Sequence, residues 1–145
     1  MNPTDKLHQT VDAFCQFIET LPAAALKERE WGPKEVLAHI LYHHENYVAE
    51  IEAQLTGRPY NLPKGRFSDL NAQAAASSHG VPVEELLHRL RTADEQLRNF
   101  YRLHDPKTLV INIKQGGKSW TLAELVPAVE SHVRNHHQRL KKELS

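Results

Sequence analysis

Leu7, Val11, Phe14, Ile18 and Leu21 follow one another at spacings of four, three, four and three. Steps of that kind return to one side of an α-helix. They predict a first amphipathic helix over about Pro3 to Leu21, closed by Pro22. Ala23 to Arg29 reads as a connector with room for a helical turn. A second helix is expected from Trp31-Gly32-Pro33, because proline at a first helical position gives up no needed hydrogen bond. Val36, Ile40, His43, Tyr47 and Ile51 form its inward line, with Leu37, His39 and Val48 at the margins, and Gly57-Arg58-Pro59 ends it.

Prolines and glycines from Pro59 to Gly65 mark a loop. Ser68-Asp69 can cap a short helix through Ala76, and the chain breaks again over Ser77 to Pro82. A third long helix is predicted over about Val83 to Leu103, with Leu86, Leu90, Ala93, Leu97 and Phe100 on one face. Leu109 to Ile113 alternates and is rich in β-branched residues, then Gln115-Gly116-Gly117-Lys118 precedes Ser119-Trp120. This reads as a small hairpin or an extended connector. Thr121 and Glu124 fit a capping box opening the last helix, whose stripe is Leu122, Leu125, Val129, His132, His136 and Leu140. Pro127 predicts a slight bend there. The expected fold is all-α: one four-helix-bundle domain over residues 1–145, with a long crossover between the second and third long helices.

Charge narrows the function. Lys plus Arg total 18 and Asp plus Glu total 18, for a formal net charge of zero. A general binder of nucleic acid or anionic membrane needs a cationic surplus, so neither partner is expected. Cys15 is the sole cysteine, which excludes an intrachain disulfide and any multi-cysteine zinc site. It fits a reducing, cytoplasmic setting. No apolar run approaches the roughly 20 residues that span a bilayer, and no signal peptide is visible. Cys15 itself reads as a small buried hydrophobe.

Histidine is the outlier, with ten residues. Six fall in two clusters: His39, His43, His44 and His132, His136, His137. His132 and His136 occupy helix positions where the stripe calls for an aliphatic side chain, and a spacing of four stacks two side chains on one helix face. Two such imidazoles can reach one ion about 2.0–2.1 Å from each nitrogen. A third ligand must come from another element, and His39 is the best placed. The alternative is a set of core histidines hydrogen-bonded within the bundle, but three buried imidazoles without a shared ion need separate partners. His43, four residues after His39, is an additional candidate. His44 and His137 lie about 100° around the helix from their neighbours and are expected at the surface or facing substrate. Neutral imidazole suits zinc, nickel, iron and copper alike. Glu35, Glu130 and Gln138 are candidates to orient the ligands, each with an ordinary solvated helix face as the alternative. Arg134 and Arg139 flank the site as surface charges or as partners of an anionic substrate.

These residues carry a resemblance. Trp31-Gly-Pro-Lys-Glu-Val-Leu-Ala-His39 resembles the start of the second helix in the DinB-like superfamily, and His132-Val-Arg-Asn-His136 resembles that superfamily's HxxxH on the fourth. Phe67-Ser-Asp-Leu-Asn71, followed by Val83 to Leu103, is similar to the subgroup around the ClbS/DfsB proteins and the mycothiol-dependent maleylpyruvate isomerases. The resemblance implies a four-helix bundle whose His39, His132 and His136 bind a divalent metal, often zinc or nickel. It also implies a homodimer, and an activity of the hydrolase or thiol-dependent transferase kind, the latter with a low-molecular-weight thiol as cosubstrate. His137-Gln138-Arg139 departs from the Gly-Gln or Ala-Gln step common after the second histidine.

Two functions from different classes follow. One is a metal-dependent enzyme acting on a small molecule, with His43, His137 and Glu35 as further site residues. The other is a non-catalytic bundle that binds a small molecule or holds a structural metal. A third reading, a dimeric interaction module anchored by Trp31, Trp120 and Tyr42, competes with those aromatics simply plugging helix ends.

Overall fold

A computed structural model describes residues 2–145 of the chain. The helices are α1 (Pro3–Thr20), α2 (Pro33–Thr56), α3 (Phe67–Ser78), α4 (Val83–Leu103) and α5 (Leu122–Glu143), with one 3-10 turn at Ala23–Leu26. Each predicted long helix is present, and the crossover carries the expected short helix, α3. Asn2 caps α1 by accepting from Thr4 N at 2.8 Å. Thr121 and Glu124 cap α5 reciprocally. Gly57, at φ +67°, ends α2 in a conformation that favours glycine.

The helical stripes meet as the spacing predicts. Phe14, Leu7 and Ile18 of α1, Leu37, Ile40 and Ile51 of α2, and Leu86, Leu90 and Leu97 of α4 are fully buried. Around the bundle, α1 packs on α4 and α5, α4 packs on α2, and α3 lies on the outside of α2. Contact between α2 and α5 is sparse, so these two helices stand apart and leave a gap along one side.

The hairpin reading also holds. β1 (Val110–Asn112) and β2 (Ser119–Thr121) pair antiparallel, with Ile111 opposite Trp120, and Ile111 reaches the core. The outer edge of β1 is closed by α2. Gln54 donates to Val110 O at 2.8 Å and accepts from Val110 N at 3.1 Å, and Glu50 accepts from Asn112 N at 2.8 Å. A two-stranded ribbon is marginal alone; here helix side chains do the work of a third strand. Its tip is tied to the preceding loop by Gln115 N, which donates to Pro63 O at 2.8 Å.

No described helix is long and apolar enough to cross a membrane.

Candidate metal centre

The gap between α2 and α5 holds a pocket of about 480 Å³. His39 and His43 reach it from α2, and His132 and His136 from α5. One ring nitrogen each of His39, His132 and His136 lies within 4.8 Å of the others. His132 Nε2 is 3.4 Å from His39 Nε2 and 2.9 Å from His136 Nε2. A neutral imidazole nitrogen either donates or accepts. The one Nε2 of His132 cannot satisfy two facing nitrogens at once, whereas a cation between them satisfies all three. Ligands about 2.0–2.1 Å from a tetrahedral ion stand roughly 3.3 Å apart, so the donor set fits a divalent metal.

Burial and the neighbouring imidazoles keep these rings neutral. Desolvation lowers the pKa of His39 to about 4, with His132 pressing the same way and the adjacent Asn71 side chain opposing. His136 is lowered to about 4 by burial and then by His132, His39 and Arg139. Partial desolvation of its ring against the neighbouring side chains also lowers His132. Neutral imidazole is the form a metal requires. The other side of His39 is unsatisfied: its Nδ1 and the Asn71 Oδ1 are both buried and lack a hydrogen-bond partner among the described residues.

The placement of the triad corrects one expectation. His132 is exposed and His136 half-buried, so they are not in the core. The buried line of α5 runs through Leu125, Val126, Val129 and Val133. His132 sits one residue, about 100°, off Val133, which turns it toward the gap. The triad therefore lines an open pocket instead of a sealed bundle interior.

The additional candidates divide. His43 is buried beside the triad, its ring centroid 4.9 Å from that of His39 and stacked on Tyr47, but it stands outside the cluster of three. Burial lowers its pKa to about 3. His137 faces the opposite side, 4.9 Å from Phe17 and 6.0 Å from Phe14 of α1, because one residue beyond His136 turns it onto the α1 contact. Glu35 is a cap and does not support a ligand: its carboxylate accepts from Gly32 N at 2.9 Å and Arg29 N at 3.2 Å. Glu130 likewise serves the α1 side, accepting from Thr10 Oγ1 at 2.7 Å and Arg134 Nε at 3.1 Å. Gln138 is exposed. His44, expected near the surface, is 1% exposed, with Nδ1 3.2 Å from the Ile40 carbonyl oxygen. Cys15 is buried, and burial pushes its thiol up to about 12.

Of the other lining residues, only Arg139 is expected beside the site from the sequence. Phe67 and Asn71 come from the first turns of α3, four apart and so on one face. Ile113 comes from the hairpin and Tyr47 from the α2 stripe. Trp31 stands over the triad, its ring 5.8 Å from His39 and 6.3 Å from His136. Arg139 occupies the rim one turn of α5 beyond His136. Tyr42, by contrast, is occupied on α3, donating to Gln73 Oε1 at 3.0 Å.

The fold and site thus define a four-helix bundle with a histidine triad opening onto a pocket between two of its helices. The chain belongs to the DinB superfamily, whose family model matches residues 6–140. Its fold is similar to that of an uncharacterized protein from Clostridium difficile 630, with a TM-score of 0.75 at 14% identity over 97% of this chain and 94% of that one. It is also similar to that of an uncharacterised protein from Escherichia coli UTI89, with a TM-score of 0.74 at 17% identity over 97% and 87%. None of the curated proteins compared matches the chain.

Proposed function

We propose that this protein is a metal-dependent enzyme acting on a small molecule, with His39, His132 and His136 as ligands to a divalent cation, zinc or nickel. The observation that carries the reading is the triad's position at the wall of an open pocket of about 480 Å³. Structural zinc sites are closed by four protein ligands, whereas catalytic sites hold three and keep a position free. A non-catalytic structural site fits this geometry less well, because nothing seals the pocket side of the triad.

A bound divalent cation supplies positive charge that favours the deprotonated form of a water or a thiol at neutral pH. The protein's residues do the rest. His39 anchors the site on α2, and the HxxxH pair brings α5 to it. Trp31 covers one side and limits access of bulk water. His43 and Tyr47 offer polar atoms on the pocket wall, where a substrate can be oriented. Hydrolysis and thiol transfer both suit this arrangement.

The test is a paired assay on metal-reconstituted protein. One arm offers activated esters and amides in water, and the other offers electrophiles with a low-molecular-weight thiol. Turnover in either arm that disappears on chelation and in His136→Ala supports the reading and names the reaction class. Turnover that survives both treatments contradicts it.

A further inference from the structure

The pocket's walls are more specific than its metal chemistry. Trp31 is 42% exposed and Phe67 54% exposed, and both line the pocket. Exposed aromatic faces flanking a cavity offer flat apolar surface for stacking. The charge at the mouth has one sign. Arg139 lines the pocket, Lys114 Nζ lies 5.4 Å from the Phe67 ring centroid, and no Asp or Glu is among the lining residues. Other arginines are engaged: Arg89 with Glu45, Arg91 with Glu19, Arg98 with Asp5 and Arg134 with Glu130. Arg139 has no ion-pair or hydrogen-bond partner among the described residues. Its planar fork matches a carboxylate in bidentate fashion.

We propose that the pocket takes a small carboxylate with a flat, aromatic or conjugated body, the carboxylate paired with Arg139 and the body held between Trp31 and Phe67. The proposal rests on reading this pocket as the substrate site. A single guanidinium matches the single charge of a carboxylate. A dianionic phosphate calls for more positive charge than Arg139, the one Lys or Arg among the lining residues, carries.

The test uses metal-free protein, so that it stands apart from metal binding. Benzoate, benzamide and phenyl phosphate are titrated while the Trp31 indole N–H resonance is followed, in wild type, Arg139→Gln and Phe67→Ala. Benzoate is expected to bind best, and to weaken about tenfold or more in Arg139→Gln, as a lost charge-assisted hydrogen-bonded pair requires. Phe67→Ala is expected to weaken benzoate and benzamide alike. Equal binding of benzoate to wild type and Arg139→Gln overturns the proposal, as does benzamide or phenyl phosphate matching benzoate. A separate cobalt(II) titration of the same variants distinguishes the two claims. Arg139-dependent benzoate binding without metal binding keeps this proposal and removes the metal reading, and the reverse pattern does the opposite.

Discussion

His39 Nε2 and His132 Nε2 lie 3.4 Å apart although 93 residues separate them in the chain. The approach is made across the one side of the bundle where the helices do not close. Two helices that otherwise barely touch present their histidines to each other, and His136 completes the set at 2.9 Å from His132.

Asn71 should act through His39. Both His39 Nδ1 and Asn71 Oδ1 are buried and short of a hydrogen-bond partner. An oxygen acceptor on the remote nitrogen fixes the tautomer that leaves Nε2 free for an ion. Asn71→Ala should weaken metal affinity by about 10–100-fold with little change in folding, and Asn71→Asp should restore it. Competition with a chelating dye reads both.

His43 should be dispensable for the metal. It is buried and close to His39 but outside the cluster of three. His43→Leu should retain one ion per chain with unchanged affinity while altering what the pocket binds. A loss of metal in this variant would make His43 a ligand.

Glu35 should matter for stability alone. It caps the start of α2 through Gly32 N and Arg29 N. Glu35→Ala should cost about 1–2 kcal/mol in urea unfolding and leave metal affinity unchanged.

Acid should destabilise the metal-free protein, with His44 a clear contributor. Burial lowers its pKa from 6.5 to about 4, partly offset by its bond to the Ile40 carbonyl. A depressed folded pKa means that the unfolded chain takes up the proton first as pH falls. The stabilisation is therefore present above pH 6.5 and lost progressively down to about 4, worth about 3 kcal/mol for this one ring. Denaturant unfolding at pH 7.5 and pH 4.5 in chelator should show the loss, and His44→Leu should reduce it.

The helices were legible because hydrophobic spacing reports burial directly: the α1 line from Leu7 to Ile18 and the α4 line from Leu86 to Leu97 are core residues as read. The triad was legible because HxxxH fixes two side chains on one face and the third ligand had to come from another element, where His39 was best placed; the resemblance implied the same three. The triad's exposure was not. A helix stripe shows which side of α5 faces inward, but not that α2 and α5 stand apart there. Arg139, three residues after His136, was legible as a flank of the site, but spacing could not reveal that Trp31 and Phe67 reach the same cavity, since they come from a connector and a separate helix brought together only by packing. The role of Glu35 was within reach, as a glutamate three residues after Gly32 is the third-position partner of a helix cap. His44 is buried because its register faces the bundle interior more deeply than a flanking position suggests.

Metal content of untagged protein, measured by elemental analysis after reconstitution and desalting, bears most directly on the whole account. Wild type should carry one divalent ion per chain, and His39→Ala, His132→Ala and His136→Ala should each lose it while remaining folded by circular dichroism. Wild-type protein without tightly held metal, or folded triad variants that keep a full complement, would contradict it.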